Sequence, residues 1–217
     1  MESRPVSSNQ RDVHSDLKTV VEKHLKHRFL RPIPAWVSEL AETLAREHAD
    51  APWVLDSGCG TGLSSVQLAK AHPQHWVLGI DQSEHRLGKQ SETPPDNLRF
   101  VRTDLQDFWR ALHHLHIEVD RHYLLYPNPW PKAHHLMRRW HGHSVWPHLL
   151  ALKGHLELRT NWLLYAQEFE QALILSGHEQ VVRNSLDNTE VLKNPLTLFE
   201  KKYAENGHLL TRVQVRL

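Results

Sequence analysis

The pattern of apolar residues changes near Pro52 and separates a short helical region from a longer alternating one. Before this point, apolar residues recur at three- and four-residue steps, which predicts an amphipathic helix over residues 17–28 and a second over 36–47. Two prolines within 31–34 predict the break between them. Residues 1–15 lack periodicity and are predicted to be a mobile tail. The predicted organisation is a tail over 1–15, an N-terminal helical arm over 16–51 and a main domain over 52–217.

After Pro52, short apolar runs alternate with helical stretches of ten to fifteen residues. This alternation is typical of an α/β domain with a mostly parallel sheet. The predicted strands cover residues 53–55, 76–80, 98–101, 121–126, 154–159, 178–183 and 209–217. The predicted helices cover 61–71, 83–90, 105–116, 138–152 and 162–175, with a partly helical loop over 184–203.

Composition limits the class of protein. The 217 residues are 40% hydrophobic, and 26 Lys and Arg against 25 Asp and Glu leave a net charge of +1. A nucleic-acid role would therefore depend on local clustering of charge. A single cysteine excludes a disulfide framework and a thiolate zinc site, and it favours a reducing compartment. No apolar run approaches the roughly 18 residues of a membrane span, so we expect a cytoplasmic protein without membrane contact.

Three of the nine glycines lie within five residues, in Asp56-Ser57-Gly58-Cys59-Gly60-Thr61-Gly62. The string falls between a predicted strand and a predicted helix, where glycines permit a tight turn and close approach of a ligand. A dinucleotide fingerprint needs glycine where Leu63 stands, and a P-loop needs a lysine that Gly62-Leu63-Ser64 lacks. The remaining acidic G-x-G-x-G loop resembles motif I of class I S-adenosylmethionine-dependent methyltransferases. The alternative is a structural glycine turn without a ligand.

Acidic residues follow three successive predicted strands and support a methyl-donor site. Asp56 can pair with the cationic amino-acid end of S-adenosylmethionine, directly or through water. Asp81 can accept both ribose hydroxyls, or it can cap the next helix. Asp104 is placed to accept a hydrogen bond from the adenine amino group. The predicted donor-binding residues are Asp56, Gly58, Gly60, Thr61, Gly62, Asp81, Gln82, Asp104, Leu105 and Asn128.

Three alternating prolines surround Asn128 and Trp130 directly after the fourth predicted strand. Each proline restricts its own φ and the residue before it, which predicts a stiff loop that presents both side chains in set directions. The following stretch contains Lys132, Arg138 and Arg139 with several histidines, and no acidic residue occurs before Glu157. Such a local basic surface suits phosphate contact. The alternatives are a solvated helix face and structural packing of the aromatic rings.

This stretch also carries a specific resemblance. Pro127-Asn128-Pro129-Trp130-Pro131-Lys132 with His134-His135 and Arg138-Arg139 resembles the P-D-P-W-P-K-x-x-H-x-x-R-R signature of the bacterial tRNA (guanine-N7)-methyltransferase family. Thr160-Asn161-Trp162 with Tyr165-Ala166 is similar to its T-D-x-x-x-Y-A segment, and Thr197-Leu198-Phe199-Glu200 to its T-x-F-E segment. The resemblance covers residues 52–217.

The resemblance implies a Rossmann-like class I methyltransferase fold with seven strands, the last antiparallel, and S-adenosylmethionine as cofactor. It further implies a tRNA substrate and a catalytic position for Asn128 beside the donor. The residues expected to meet RNA or its guanine are Trp130 as a stacking surface, Arg138 and Arg139 as phosphate contacts, and Lys132, Asn161, Thr197 and Glu200.

Two positions depart from the family pattern, because asparagine replaces aspartate at Asn128 and Asn161, and the arm lacks an arginine-rich string. An asparagine offers one acceptor and one donor, whereas an aspartate can accept from both the N1–H and the amine of guanine. These departures indicate a divergent branch. They leave open methylation of another RNA base or a small amine, and a catalytically weakened RNA-binding paralogue.

The histidines near residue 141 lack acidic or thiolate partners in the sequence, so no metal site is expected. Cys59 is explained by its small size within the glycine loop. We expect a monomer or homodimer that acts on RNA.

Overall fold

A computed structural model describes residues 2–89 and 93–217, and seven strands alternate with helices along these residues. The strands are β1 (Trp53–Ser57), β2 (Trp76–Asp81), β3 (Leu98–Arg102), β4 (Arg121–Leu125), β5 (His155–Thr160), β6 (Val182–Ser185) and β7 (Thr211–Arg216). The helices are α1 (Leu17–Lys26), α2 (Ala35–Glu47), α3 (Leu63–Ala71), α4 (Glu84–Leu87), α5 (Leu105–His114), α6 (Trp146–Leu150), α7 (Leu163–Leu175), α8 (Asn188–Lys193) and α9 (Leu198–Glu205).

The strands form one sheet in the order β3-β2-β1-β4-β5-β7-β6. β1 pairs in parallel with β2 and β4, and β2 pairs in parallel with β3. β7 pairs antiparallel with β6. The predicted fold class, a seven-stranded, mostly parallel sheet with an antiparallel last strand, is confirmed.

The chain divides into two compact units. Unit 1 contains the residues up to Phe29, Tyr126–Pro147 and Glu157–Arg216, and unit 2 contains Leu30–Leu125, His148–Leu156 and Leu217.

Unit 2 contains the first four strands. β1 is buried at every position, as expected of a parallel strand covered on both faces. α5 begins at Asp104, whose carboxylate caps the helix by accepting hydrogen bonds from the backbone N–H groups of Gln106 and Asp107. Its apolar face buries Phe108, Trp109 and Leu112 completely.

Unit 1 is organised around α7, which is apolar on most of its surface and buries Ala166, Phe169 and Leu173 completely. A helix that is apolar nearly all round belongs in a core. The segment predicted to be a mobile tail belongs to this unit. It contains no helix or strand over residues 2–16, yet Ser8 Oγ donates to the carbonyl of Pro131 and Gln10 Nε2 donates to Glu168 Oε1.

The prediction of one continuous helix over residues 138–152 is wrong. Two 3₁₀ turns, Ala133–Arg138 and Trp140–Gly142, precede the short helix α6. A Cβ on Gly142 would lie 2.3 Å from the carbonyl oxygen of Leu136, so the turns pack too closely for another residue there. Pro147 lies in the first turn of α6, where proline is tolerated, and so marks a helix start rather than an interior.

Two other predicted boundaries shift. β6 starts at Val182 rather than at residue 178. All four of its residues are exposed, so no alternation of buried and exposed positions marks where this strand begins. α4 ends at Leu87, and the predicted end of that helix near residue 90 lies outside the described residues.

Candidate active site

The glycine loop of unit 2 is fixed by β2. The backbone N–H groups of Gly58 and Cys59 donate to the carbonyl of Ile80 at 2.7 and 3.0 Å. Gly58, Gly60 and Gly62 have φ values of +84°, +60° and +84°, a region that only glycine adopts freely. Among the described residues, and apart from Gly60 and its two chain neighbours, no heavy atom lies within 4 Å of a Cβ built on Gly60. The glycines are therefore required by the backbone path, and the surface of the loop at Gly60 is open.

Asp56 lies at the base of this loop and is completely buried. Its Oδ2 accepts hydrogen bonds from Ser64 Oγ at 2.5 Å and Ser65 Oγ at 2.6 Å, which ties β1 to α3. Burial raises the pKa of this carboxyl to about 6, although the two hydroxyls oppose the shift. Its Oδ1 is buried and accepts no hydrogen bond within the described part of the chain. One acceptor therefore remains for a ligand amine or a water.

Asp81 holds the other side of the loop and is 2% exposed. Its Oδ2 accepts from the backbone N–H of Gly60 at 2.9 Å. Its Oδ1 accepts from the backbone N–H of Ser83 at 2.8 Å and lies 3.0 Å from Arg86 Nη2. Asp81 therefore contacts the backbone just before the next helix, α4, and also fixes the glycine loop.

Asp104 and Leu105 lie at the start of α5. Asp104 is half-buried and also lies 3.6 Å from Arg31 Nη2. Leu105 Cδ1 lies 4.0 Å from a Cβ built on Gly58, so this side chain borders the loop. Thr61 is half-buried and Gln82 is exposed. The structure therefore brings the glycines together with Asp56, Asp81 and Leu105.

A buried polar chain next to the loop was missed by the sequence analysis. Ser57 Oγ lies 2.8 Å from His122 Nε2, and Trp109 Nε1 donates to Ser57 Oγ at 3.1 Å. Burial lowers the pKa of His122 to about 3, so its ring is neutral at physiological pH. The only hint of this chain in the sequence was His122, a histidine within a predicted strand whose following residues are mostly apolar.

The Pro–Trp loop, residues 126–132, belongs to unit 1. Asn128 and Lys132 are exposed and Trp130 is half-buried. The guanidinium carbon of exposed Arg138 lies 4.7 Å from the centre of the Trp130 ring, a cation–π distance. Tyr126 and Trp130 have φ values of +52° and +45°, which cost roughly 1–2 kcal/mol for each non-glycine residue. The loop is therefore held in a strained shape that presents a ring and cations.

Arg139 does not have the predicted role. Its side chain is completely buried, and its Nη1 donates to Glu168 Oε2 at 2.5 Å. Other donors of the same guanidinium bind the carbonyls of Trp130 and Lys132. A phosphate contact by Arg139 is therefore corrected to a contact within the protein, because these acceptors occupy the group. The sequence could not separate Arg138 from Arg139, since both follow the same motif.

Asn161 is half-buried beside His208. Asn161 Nδ2 lies 3.3 Å from His208 Nδ1, and His208 Nε2 lies 3.2 Å from the carbonyl oxygen of Ser3. A carbonyl only accepts, so Nε2 carries the ring hydrogen and Nδ1 of a neutral ring accepts. The amide of Asn161 therefore donates through Nδ2, and its Oδ1 remains an acceptor.

Thr197 and Glu200 form a helix cap. Thr197 Oγ1 accepts from the backbone N–H of Glu200 at 2.9 Å at the start of α9. Glu200 is completely buried, its Oε1 accepts from Tyr126 and Arg159, and its Oε2 accepts from the backbone N–H of Leu196. Both oxygens of Glu200 thus accept hydrogen bonds within unit 1, and its predicted contact with guanine stays a prediction.

Neither a metal cluster nor a membrane span is found among residues 2–89 and 93–217. No group of three or more His, Cys, Asp or Glu side chains there could hold a metal ion. No helix in these ranges is long and apolar enough to cross a membrane. Cys59 is a free, buried thiol whose pKa is raised by burial, which disfavours a nucleophilic role.

The sheet order and the acidic glycine loop after β1 define the class of this protein: an S-adenosylmethionine-dependent methyltransferase with the class I fold. Two solved structures share the fold. One is an antibiotic-related methyltransferase, at TM-score 0.60 and 18% identity, over 82% of this chain and 94% of that one. The other is a 16S rRNA (adenine(1408)-N(1))-methyltransferase mutant with cosubstrate SAM from Catenulisporales acidiphilia, at TM-score 0.57 and 19% identity, over 81% of this chain and 89% of that one.

A protein family described as "Putative methyltransferase" matches residues 50–213. Among curated relatives, the tRNA (guanine-N(7)-)-methyltransferase of Edwardsiella ictaluri is 31% identical over 73% of this chain and 70% of the relative. That of Enterococcus faecalis is 27% identical over 83% of this chain and 86% of the relative. The chain belongs to this methyltransferase family, which includes the tRNA (guanine-N(7)-)-methyltransferases, and its methyl donor is S-adenosylmethionine.

Proposed function

We propose that this protein methylates N7 of a guanine in tRNA. The observation that carries the proposal is the Pro–Trp loop, where Trp130, Lys132 and Arg138 present a ring and two cations at the surface of a strained, preorganised segment. Aromatic faces stack on exposed bases, and lysine and arginine bind phosphates. The names of the relatives supply the particular base and atom. A tRNA substrate also agrees with the cytoplasmic location expected from the sequence.

The glycine loop fits the methyl donor. Gly60 leaves open space above the loop, and the unpartnered Oδ1 of Asp56 can accept from the donor's ammonium group, directly or through water. Asp81, which fixes the Gly60 N–H, is proposed to accept from the ribose hydroxyls, and Asp104 with Leu105 is proposed to contact the adenine. S-adenosylmethionine supplies a methyl group on a sulfonium when it is bound.

Guanine N7 has a free lone pair and loses no proton in the reaction, so the transfer needs no general base. The contribution of the enzyme is to hold the nucleophile in line with the methyl carbon and the sulfur. No residue of this chain has to form a covalent intermediate. The proposed roles are therefore binding and orientation of the base.

The two asparagines can orient a guanine through different edges. Asn128 Oδ1 accepts from the backbone N–H of Trp130 at 3.4 Å, which leaves its Nδ2 to donate to O6 of guanine, next to N7. Asn161 Oδ1 remains an acceptor for an N–H of the guanine because His208 engages the other end of the amide. Asparagine at these positions is thus compatible with guanine, provided that each amide is held in one orientation.

The test is nucleoside mass spectrometry on unmodified tRNA treated with the protein and isotope-labelled donor. We expect labelled 7-methylguanosine. The control is Asp81→Asn, which weakens the acceptor for the Gly60 N–H and should bind the donor poorly by calorimetry. Another labelled nucleoside would contradict the choice of guanine N7 and indicate a different base. Donor binding without transfer to any RNA would indicate a catalytically weakened RNA-binding paralogue.

A further inference from the structure

We infer that Arg139, held by Glu168, is a positioning residue that fixes the Pro–Trp loop in the shape required for methyl transfer. The inference deepens the proposed function and rests on the proposed role of this loop in RNA binding. It replaces the predicted phosphate contact of Arg139 with an action through the loop. All the residues involved belong to unit 1.

The guanidinium of Arg139 binds two backbone carbonyls at the C-terminal end of the Pro–Trp loop. Its Nε and Nη2 donate to the carbonyl of Trp130 at 3.3 and 3.1 Å, and Nη2 also lies 3.3 Å from the carbonyl of Lys132. Trp162 covers the group, with its ring centre 4.9 Å from the guanidinium carbon. One carbonyl that Arg139 holds belongs to Trp130, which has a left-handed backbone. Arg139 therefore stabilises the strained conformation that sets the direction of the Trp130 ring.

Glu168 keeps Arg139 in place. Both side chains are completely buried, and Glu168 also accepts from His141 Nε2 at 3.0 Å and from the backbone N–H of His14 at 3.0 Å. Burial alone would raise the pKa of Glu168, but the hydrogen bond from His141 and the charge of Arg139 lower it to about 2. The acid is therefore ionised, and it holds the guanidinium at a fixed position.

Gln10 closes the network from the N-terminal segment. Its Oε1 accepts from Arg139 Nη2 at 3.0 Å, and its Nε2 donates to Glu168 Oε1 at 2.6 Å. The same segment reaches the loop itself through Ser8, whose hydroxyl donates to the carbonyl of Pro131 at 2.5 Å. The N-terminal segment therefore contacts both the Pro–Trp loop and the Arg139–Glu168 pair that holds this loop.

Lysine cannot replace the arginine in this role. A guanidinium is a planar fork that reaches Glu168 and two carbonyls at once, whereas an ammonium is a point charge on a flexible stem. Arg139→Lys therefore keeps the buried charge pair but loses hydrogen bonds to the loop. This substitution separates positioning of the loop from support of the fold.

The experiment compares Arg139→Lys with Arg183→Lys. Arg183 Nε lies 2.6 Å from Glu170 on the same helix, α7, so the control alters a second arginine–carboxylate pair that does not contact the loop. For Arg139→Lys we expect kcat for RNA methylation to fall about 10- to 100-fold, as misplacement of a reacting group by about 1 Å does. The Kd for S-adenosylmethionine should change by less than about twofold, since only the loop contacts are lost. Arg183→Lys should leave both quantities unchanged.

A spectroscopic signal reports on the loop independently of catalysis. In protein labelled with 5-fluorotryptophan, the ¹⁹F resonance of Trp130, assigned with Trp130→Phe, should shift and broaden in Arg139→Lys. The resonance of Trp146, which donates to Ser176 Oγ, should stay fixed and serve as the reference. An unchanged Trp130 resonance together with wild-type kcat would overturn the inference. Equal losses of donor binding, thermal stability and kcat would also overturn it, because they indicate support of the whole fold.

A second variant covers the case in which Arg139→Lys does not fold. Arg139→Met/Glu168→Gln leaves no unpaired charge in the core and retains an acceptor for His141. It should give the same shift and broadening of the Trp130 resonance, with donor binding intact. If no RNA is methylated by the wild-type protein, the proposed function fails, whereas the ¹⁹F comparison still decides whether Arg139 positions the loop.

Discussion

At the scale of single residues, two buried carboxylates of this protein have opposite ionisation behaviour. Asp56 is partnered by two neutral hydroxyls, and burial raises its pKa to about 6. Glu168 is partnered by Arg139 and His141, which outweigh burial and lower its pKa to about 2. At Glu168 the hydrogen bond from His141 and the nearby cationic charge outweigh burial, whereas at Asp56 the two hydroxyls do not. Each acid therefore has a different dependence of stability on pH.

The first prediction concerns Asp56→Asn. Because the folded-state pKa of Asp56 is raised, the folded protein keeps a proton that the unfolded chain has already lost. The resulting stabilisation is present at low pH and is lost as pH rises through about 6. Between pH 5 and 7, the free energy of unfolding of the wild type should fall by about 1.4 kcal/mol relative to the variant, at about 1.4 kcal/mol per pKa unit.

Urea denaturation at both pH values measures this difference. Glu84→Gln is the control, since it removes an exposed carboxylate instead of a buried one. Parallel pH profiles for wild type and Asp56→Asn would contradict the raised pKa.

At the level of elements, the sequence predicted that the Pro–Trp loop displays Asn128, but it did not predict which side chains hold the loop. The alternating prolines predicted a rigid loop with Asn128 displayed, and Asn128 is exposed. The helix predicted after it is replaced by two 3₁₀ turns, and these turns direct Arg138 outwards while burying Arg139. Neighbouring arginines therefore receive different environments from a local change in backbone geometry.

The prediction at this scale concerns Arg138→Ala. Since exposed Arg138 lies over the Trp130 ring and is a proposed phosphate contact, its loss should weaken tRNA binding and reduce the slope of log Kd against log salt by about 1. Fluorescence anisotropy with labelled tRNA between low and moderate salt measures both effects. Donor affinity, measured by calorimetry, should not change.

The control for this prediction is Arg216→Ala, which removes an exposed arginine from β7. Equal salt slopes for wild type and Arg138→Ala would remove Arg138 from the RNA-binding surface. A slope reduced equally in both variants would indicate a general effect of net charge.

At the level of the whole molecule, burial lowers the pKa of several of the 19 histidines and so affects stability in acid. Burial lowers the pKa of His122 to about 3 and, with nearby cationic groups, that of His148 to about 4. A histidine that is buried in the neutral form favours folding above the unfolded pKa of about 6.5, and this stability is lost as pH falls towards the folded pKa.

The prediction at this scale concerns His122→Gln, which can keep a hydrogen bond to Ser57 but does not titrate. From pH 7 to pH 5, the wild type should lose about 2 kcal/mol of unfolding free energy relative to the variant. Asp56 acts in the opposite direction over the same interval, so only the difference between the two proteins isolates His122. A difference that does not change with pH would contradict a neutral, buried His122.

Local sequence patterns predicted the order of strands and helices from β1 to β4, the glycine loop and the family resemblance. These features depend on short-range patterns, such as apolar runs, glycine spacing and proline spacing, which act within a few residues of the chain. The environments of Arg139, Glu168 and Glu200 depend on long-range packing, as do the contacts of Ser57 with His122 and of Asn161 with His208. The hydrogen-bond partners of these side chains come from positions far apart in the chain, for example Gln10 and Glu168, and no local pattern encodes which of two adjacent arginines is buried.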